Sequence, residues 1–405
     1  MDFKNTLYTN DNLFILNGLN SNLVDLIYLD PPFNSKRFYS APIGSKAAGA
    51  SFKDMWSWQD VNEEYLNTLA QNYPALTTFI ASIGAIHSDA MKAYLTYMAQ
   101  RIIEMHRVLK DTGSLYLHCD PTASHYLKVV LDEIFGKGNF RCEIVWRIGW
   151  VSGYKTQAQK YIRNHDIILY YTKSNDYTFN KEFIPYAPDY VRRDGKKPVG
   201  EGYPIEDTWN CCDADILNSI AIMSFSKEKI GYPTQKPLAL LHRIIKASSN
   251  EGDIVFDPFC GCATTCVAAQ QLGRKWIGID IEKQAVNILV ERLSDDAGFF
   301  KDFVNTESIP QRTDIQIVEP TKSVKERLYK EQNCLCNGCG TKFDIWNLEI
   351  DHIIPKSKGG GNYYENYQLL CANCNRIKSD NPMEILRLKI KTRTELLKKK
   401  IIFGE

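Results

Sequence analysis

The segment from Asp253 to Asp280 constrains the fold most. Asp253 to Phe256 reads as a short buried strand and Asp257-Pro258-Phe259-Cys260-Gly261 as a tight turn. Thr264 to Leu272 has helical composition, and Lys275 to Ile279 is a second strand that ends on Asp280. Strand, helix and strand within thirty residues read as a βαβ unit. Small residues after the first strand let a ligand approach the backbone. An acid at the end of the second strand suits the hydroxyls of a ribose, so the segment reads as a nucleoside-cofactor site.

A second segment has the same logic. Val24 to Leu29 is an apolar run that meets Asp30-Pro31-Pro32-Phe33, where two prolines end the ladder and leave Asp30 at a strand's carboxyl end. A helix is expected from Tyr94 to Leu109, with Leu95, Met98, Ile102, Met105 and Leu109 on one face and Gly113 as its stop signal. A strand, Ser114 to His118, follows. Alternating strands and helices predict an α/β, Rossmann-like doubly wound sheet. Between these units, residues 141–229 lose periodicity and gather Trp146, Trp150, Tyr154, Tyr161, Arg163, Arg192, Arg193, Lys196 and Lys197. Such aromatic and cationic residues suit stacking and phosphate or guanine contacts, and equally an ordinary core with a solvated rim.

Residues 296–330 are polar and broken by Pro310 and Pro320, and read as a linker. Cys336, Cys339, Cys371 and Cys374 then form two C-x-x-C pairs, the spacing of one tetrahedral zinc, with Cys334 as a bystander. The tail, residues 383–405, is basic, as a solvated helix face or a DNA-phosphate contact would be. At 405 residues the chain has room for two or three units. Its net charge of +1 gives no global clue to a partner, so nucleic-acid binding must come from local patches. The start lacks the apolar core of a secretion signal and no stretch reaches membrane-span length, so the expectation is a cytoplasmic protein without a membrane partner, its cysteines reduced.

Asp30-Pro31-Pro32-Phe33-Asn34-Ser35, Tyr232-Pro233-Thr234-Gln235-Lys236-Pro237, Asp257-Pro258-Phe259-Cys260-Gly261 and Ile277-Gly278-Ile279-Asp280 together resemble the DNA amino-methyltransferases of the β arrangement, over residues 1–295. The resemblance implies S-adenosylmethionine as cofactor and double-stranded DNA as substrate. It implies a target base flipped out of the duplex and held by Asp30, Pro31, Pro32 and Phe33. Thr234, Gln235, Lys236, Asp257, Pro258, Phe259 and Gly261 would line the cofactor pocket, Asp280 would take the ribose, and residues 141–229 would read the target. The chain departs from the family in having Phe33 where tyrosine is usual and Ala263 where a second glycine is usual. The leading Asp30 resembles adenine-N6 enzymes more than cytosine-N4 enzymes.

Residues 331–382 resemble an HNH nuclease of the ββα-metal fold, through Asp351-His352-Ile353-Ile354-Pro355, Asn366 and Asn375. By that resemblance His352 activates water, Asn366 fixes the loop, and Asp351 with Asn375 holds Mg2+ or another divalent cation. A single-chain restriction-modification protein is the leading expectation. The alternatives are a methyltransferase with a non-cleaving zinc module and a nuclease with a cofactor-sensing, inactive methyltransferase domain. Homodimer formation is left open.

Overall fold

In the computed structural model, residues 4–33, 37–41, 45, 47, 51–54, 69–70, 72–148, 159–211, 215, 228–232, 235–295, 303–381 and much of 383–393 are described. Thr234, Trp150, Tyr154, Asn34, Ser35 and the tail beyond residue 393 lie outside the described residues. The strands in chain order are β1 Asn5–Thr9, β2 Val24–Leu29, β3 Arg37–Ser40, β4 Ser51–Asp54, β5 Leu109–Cys119, β6 Phe140–Arg147, β7 His165–Thr172, β8 Phe183–Pro185, β9 Gly202–Pro204, β10 Thr208–Trp209, β11 Ile254–Asp257, β12 Lys275–Asp280, β13 Phe303–Thr306, β14 Leu348–His352 and β15 Tyr367–Cys371. The chain divides into two compact units.

The first unit, residues 1–12, 22–55 and 105–307, is built on a nine-stranded sheet of order β10-β6-β7-β5-β2-β11-β12-β1-β13. Strand β7 runs antiparallel to both neighbours; every other pairing in the sheet is parallel. Strand β2 is 24–29, as the apolar run predicts, and has four successive buried residues at its end, the pattern of a strand covered on both faces. Leu26, Tyr28, Val255 and Trp276 share a core cluster with the helix Leu238–Ser248, through Leu240, Leu241, Ile244 and Ile245. Because β2, β11 and β12 are adjacent and parallel, their carboxyl ends share one edge of the sheet, where ligands bind in open α/β folds.

Three expectations need correction. Gly113 does not stop a helix: the helix runs Asp89–Val108 and β5 starts at once, with Gly113 at the irregularity where the β2 pairing jumps from Leu109 to Ser114. A Cβ there would lie 2.9 Å from the Asp25 carbonyl oxygen, so the bulge needs glycine. Residues 141–229 are not wholly an insertion, since β6 and β7 belong to the central sheet and Trp146 is buried in its core. Aromatic residues on sheet strands mimic a recognition loop in composition. Nor is 296–330 only a linker. Strand β13 pairs with β1, and the helix Lys322–Glu331 buries Val324 and Leu328 in the core of the cysteine block.

The second unit comprises residues 13–21, 56–104 and 308–405. Its carboxy-terminal part is the β14–β15 hairpin followed by the helix Ala372–Lys378. Leu348, Tyr367, Leu369, Leu370, Met383 and Leu386 make a small core around the cysteines.

Candidate active site

Three acids stand at the ends of β2, β11 and β12. Asp30 Oδ2 accepts a 2.5 Å hydrogen bond from Lys236 Nζ, both side chains being mostly buried. Its other oxygen, Oδ1, is buried and has no hydrogen-bond partner among the described residues. A buried carboxylate oxygen left unpaired is costly, and persists where a ligand completes it. Pro31 is buried and Phe33 stacks on the imidazole of His118, with centroids 6.0 Å apart and planes 25° apart.

His118 is fully buried at the end of β5 and absent from the sequence expectations. Its Nδ1 meets the Tyr28 hydroxyl at 2.9 Å and its Nε2 lies 3.3 Å from Asp166 Oδ2. Asp166 is also bonded by Arg163, which reaches Asp120 at 3.5 Å. Burial pushes the Asp166 carboxyl up, but the His118 hydrogen bond and the charges of His118, Lys236 and Arg163 outweigh it and hold it near 2. Arg163, whose type suits a DNA contact or a solvated rim, is thus a member of this network. No local pattern signals it, because its members come from three strands and the loops beside them.

Asp257 and Asp280 shape the neighbouring pocket. Asp257 is buried and accepts from Thr265 Oγ1 at 2.5 Å and from the Phe259 amide at 3.0 Å. Burial is the main cause, with the charges of Asp30 and Asp280, that raises its carboxyl to about 7. Asp280 accepts from the Gly261 and Glu282 amides, both at 2.8 Å, and burial raises it to about 6. Gly261 has φ +49°, and a Cβ there would come within 3.2 Å of the Tyr232 hydroxyl. Ala263 adopts φ 57°, ψ 28° immediately before the helix Thr264–Gln271, a left-handed conformation that explains why glycine is usual there. Arg292 binds the Cys262 carbonyl at 2.7 Å and so fixes the same turn.

S-adenosylmethionine fits these residues. It carries a sulfonium and an ammonium, and three crowded acids, two of them raised by burial, with Asp257 raised further by the charges of Asp30 and Asp280, favour a cation between them. The backbone at Gly261 and Ala263 provides the close approach. Not every expected residue faces this pocket. The Gln235 amide accepts from the Ile230 N–H and donates to the Glu228 carbonyl, clamping its own loop. Pro258 receives Asn12 on its carbonyl at 2.9 Å.

In the second unit Cys336, Cys339, Cys371 and Cys374 bring their sulfurs within 4.8 Å of one another. Backbone amides of Cys371 and Cys374 point at the sulfurs of Cys336 and Cys371, as thiolate ligands require. This donor set fits one tetrahedral zinc.

The hairpin carries His352 at the end of β14. Asn366 is buried, accepts from the Ile354 N–H and donates to the Ile354 and Gly361 carbonyls, which ties the loop. Asn362 donates to both Glu319 oxygens, at 3.3 and 3.1 Å, so its Oδ1 faces His352 Nε2 at 2.9 Å. That arrangement puts the imidazole proton on Nε2 and the lone pair on Nδ1. Glu319, within the expected linker, thereby orients the histidine.

Asp351 and Asn375 do not fit a divalent cation in this arrangement. The Lys378 ammonium, 1% exposed, lies 3.1 Å from Asp351 Oδ2 and donates to the His352 carbonyl at 2.8 Å. Gln368 also donates to Asp351, and Asn375 donates to Glu349 at 2.5 Å. A cation already neutralises the carboxylate.

The comparisons with known proteins match both parts of the chain. The DNA methylase family N6_N4_Mtase matches residues 24–291, and the HNH endonuclease family matches residues 336–381. The Type II methyltransferase M.HpaI of Haemophilus parainfluenzae is 28% identical over 290 residues, covering 70% of this chain and 73% of that protein. The DNA adenine methyltransferase YhdJ of Escherichia coli K12 is 30% identical over 212 residues, 52% of this chain and 70% of that one. Among solved structures, the M1.HpyAVI-SAM complex aligns with a TM-score of 0.40 at 21% identity, covering 71% of this chain and 98% of that chain. No helix among the described residues is long and apolar enough to cross a membrane. The chain belongs to the N6/N4 DNA methylase family of S-adenosylmethionine-dependent methyltransferases and carries an HNH domain at its carboxy-terminal side.

Proposed function

We propose that this protein methylates adenine N6 in double-stranded DNA and cleaves DNA with its HNH domain, as a single-chain restriction-modification protein. The observation that carries the methylation reading is the buried, unpartnered Asp30 Oδ1 beside the Phe33 ring. An exocyclic amine keeps its lone pair delocalised into the base; an acceptor on its hydrogens helps localise that pair toward the methyl donor. Asp30 Oδ1 and the Pro31 carbonyl are the acceptors, and Phe33, backed by His118, is the stacking surface for the flipped base. S-adenosylmethionine supplies the activated methyl group when bound. Adenine is favoured by the leading Asp30 and by the likeness to YhdJ, named a DNA adenine methyltransferase.

For cleavage, His352 Nδ1 is the base that takes a proton from water, held by the Asn362 and Glu319 relay. The Lys378–Asp351 pair favours a second reading, in which the zinc block only binds DNA.

The test is incubation of the purified protein with mixed-sequence DNA, labelled S-adenosylmethionine and magnesium. Methylated bases and strand ends are mapped by sequencing, beside Asp30→Ala and His352→Ala. Loss of only methylation in the first variant and only cleavage in the second supports the bifunctional reading. Methylation without any breaks selects the binding-module reading; label on cytosine N4 overturns the adenine assignment.

A further inference from the structure

The family resemblance implies that Lys236 lines the cofactor pocket, whereas its ammonium lies on the catalytic acid, 2.5 Å from Asp30 Oδ2. The pair is well sheltered, with 11% of the Lys236 side chain and 17% of the Asp30 side chain exposed. The same ammonium lies 5.5 Å from the centre of the Phe33 ring. Acceptor, donor and stacking surface therefore occupy one corner of the sheet edge.

That triplet matches one edge of a base. In adenine and in cytosine the exocyclic amine and a ring nitrogen are bonded to the same carbon, so an N–H donor and a lone-pair acceptor stand side by side on the pairing edge. Asp30 Oδ and Lys236 Nζ present the complementary order, acceptor beside donor. A lysine ammonium has three hydrogens and no acceptor capacity, so engagement with Asp30 does not exhaust it. The keto edge of thymine or guanine offers the reverse order, setting a carbonyl oxygen against the carboxylate and a ring N–H against the ammonium, and such mismatches reject a base.

We propose that Lys236 is a specificity-determining residue of the methyl-transfer site, donating to the ring nitrogen next to the amine that Asp30 holds. The proposal rests on the reading of Asp30 and Phe33 as the target-base site. Before the base arrives, the ammonium rests on Asp30 Oδ2, beside the oxygen Oδ1 that takes the amine. When the base stacks on Phe33, Asp30 receives the amine and Lys236 turns its donor to the neighbouring nitrogen.

The experiment uses the full chain with S-adenosylmethionine and a duplex carrying its mapped site. The target base is replaced by the analogue with carbon for that ring nitrogen, 1-deazaadenine or, should the target be cytosine, 3-deazacytosine. Wild type is expected to lose about 10- to 100-fold in kcat/KM on the analogue, the range of a charge-assisted hydrogen bond. Lys236→Met is expected to lose a similar factor on the natural base and nothing further on the analogue. Lys236→Arg, which keeps a donor, should retain the sensitivity and stands in if the methionine variant does not fold.

A full analogue penalty in Lys236→Met overturns the proposal. So does an unchanged penalty accompanied by weakened S-adenosylmethionine binding in equilibrium titration, which makes Lys236 a cofactor contact. Asp30→Ala separates the premise: undiminished methylation there overturns the base-site reading itself, whatever Lys236 does.

Discussion

Replacing Asp257 with asparagine should make the apo protein less sensitive to pH while weakening its hold on S-adenosylmethionine. The carboxyl titrates near 7 in the fold against 3.8 for a free group, because burial and the charges of Asp30 and Asp280 oppose its ionised form. The native state therefore binds more protons than the unfolded state between about pH 4 and 7, and stability must fall as pH rises through that window. With one pKa unit equal to about 1.4 kcal/mol, this group alone gives the wild type about 2–3 kcal/mol more stability at pH 5 than at pH 8. Asparagine has nearly the same shape, can accept from the Phe259 amide and can donate to Thr265, so the fold tolerates it. The assay is denaturant unfolding of wild type and Asp257→Asn at both pH values, with cofactor titrations alongside. The difference between the two proteins should grow by about 2–3 kcal/mol from pH 5 to pH 8 in favour of the variant. Cofactor affinity of the wild type should rise with pH as Asp257 and Asp280 ionise, and that of the variant should rise less. Equal pH dependence in both proteins refutes the account of the crowded acids.

Stripping metal from the four-cysteine site with a chelator, or substituting Cys371→Ser, should unfold the β14–β15 block, since structural zinc supplies on the order of 10 kcal/mol in such small cores. Tryptophan fluorescence and limited proteolysis of that block would show it, and retention of full structure without metal would refute it. Lys378→Ala leaves Asp351 with the Gln368 amide but no cation, and should destabilise the HNH unit by about 3 kcal/mol. Magnesium should restore the variant's melting temperature while leaving the wild type unmoved. Glu319→Ala should lower DNA cleavage by about tenfold or more, as loss of an orienting partner does, with methylation unchanged. Ala263→Gly should change stability by less than about 1 kcal/mol, measured by denaturant unfolding. The relief of left-handed strain, about 1 kcal/mol, is offset by one lost methyl in the core and the greater freedom of glycine.

The three acids were legible in the sequence because a strand that ends on proline or a tight turn announces where its last residue points. Asp30, Asp257 and Asp280 needed only that local signal and the rule that ligands bind at the carboxyl ends of parallel strands. His118 and Asp166 carried no such signal. Each sits on a strand buried on both faces, where a polar residue has meaning only through a partner 48 positions away. The same distance problem left Trp146 and Arg163 open between a DNA surface and a core with its rim: neighbouring strands turn one into core and the other into an ion-pair partner. Strand β13 was hidden because an edge strand buried on few sides has no strong apolar pattern.

The HNH block shows where motif reading stops. Spacing placed Asp351 next to His352 and Asn375 directly after the last cysteine, and the hairpin and helix bring their elements together. What spacing does not give is the register of the helix against β14. That register sets Asn375 on Glu349 and Lys378, three residues on, upon Asp351. Strand positions two apart thus meet helix positions three apart, and the acid expected to hold a divalent ion is taken by a lysine from its own domain. A motif names the ligands; the packing of one helical turn decides which cation they hold.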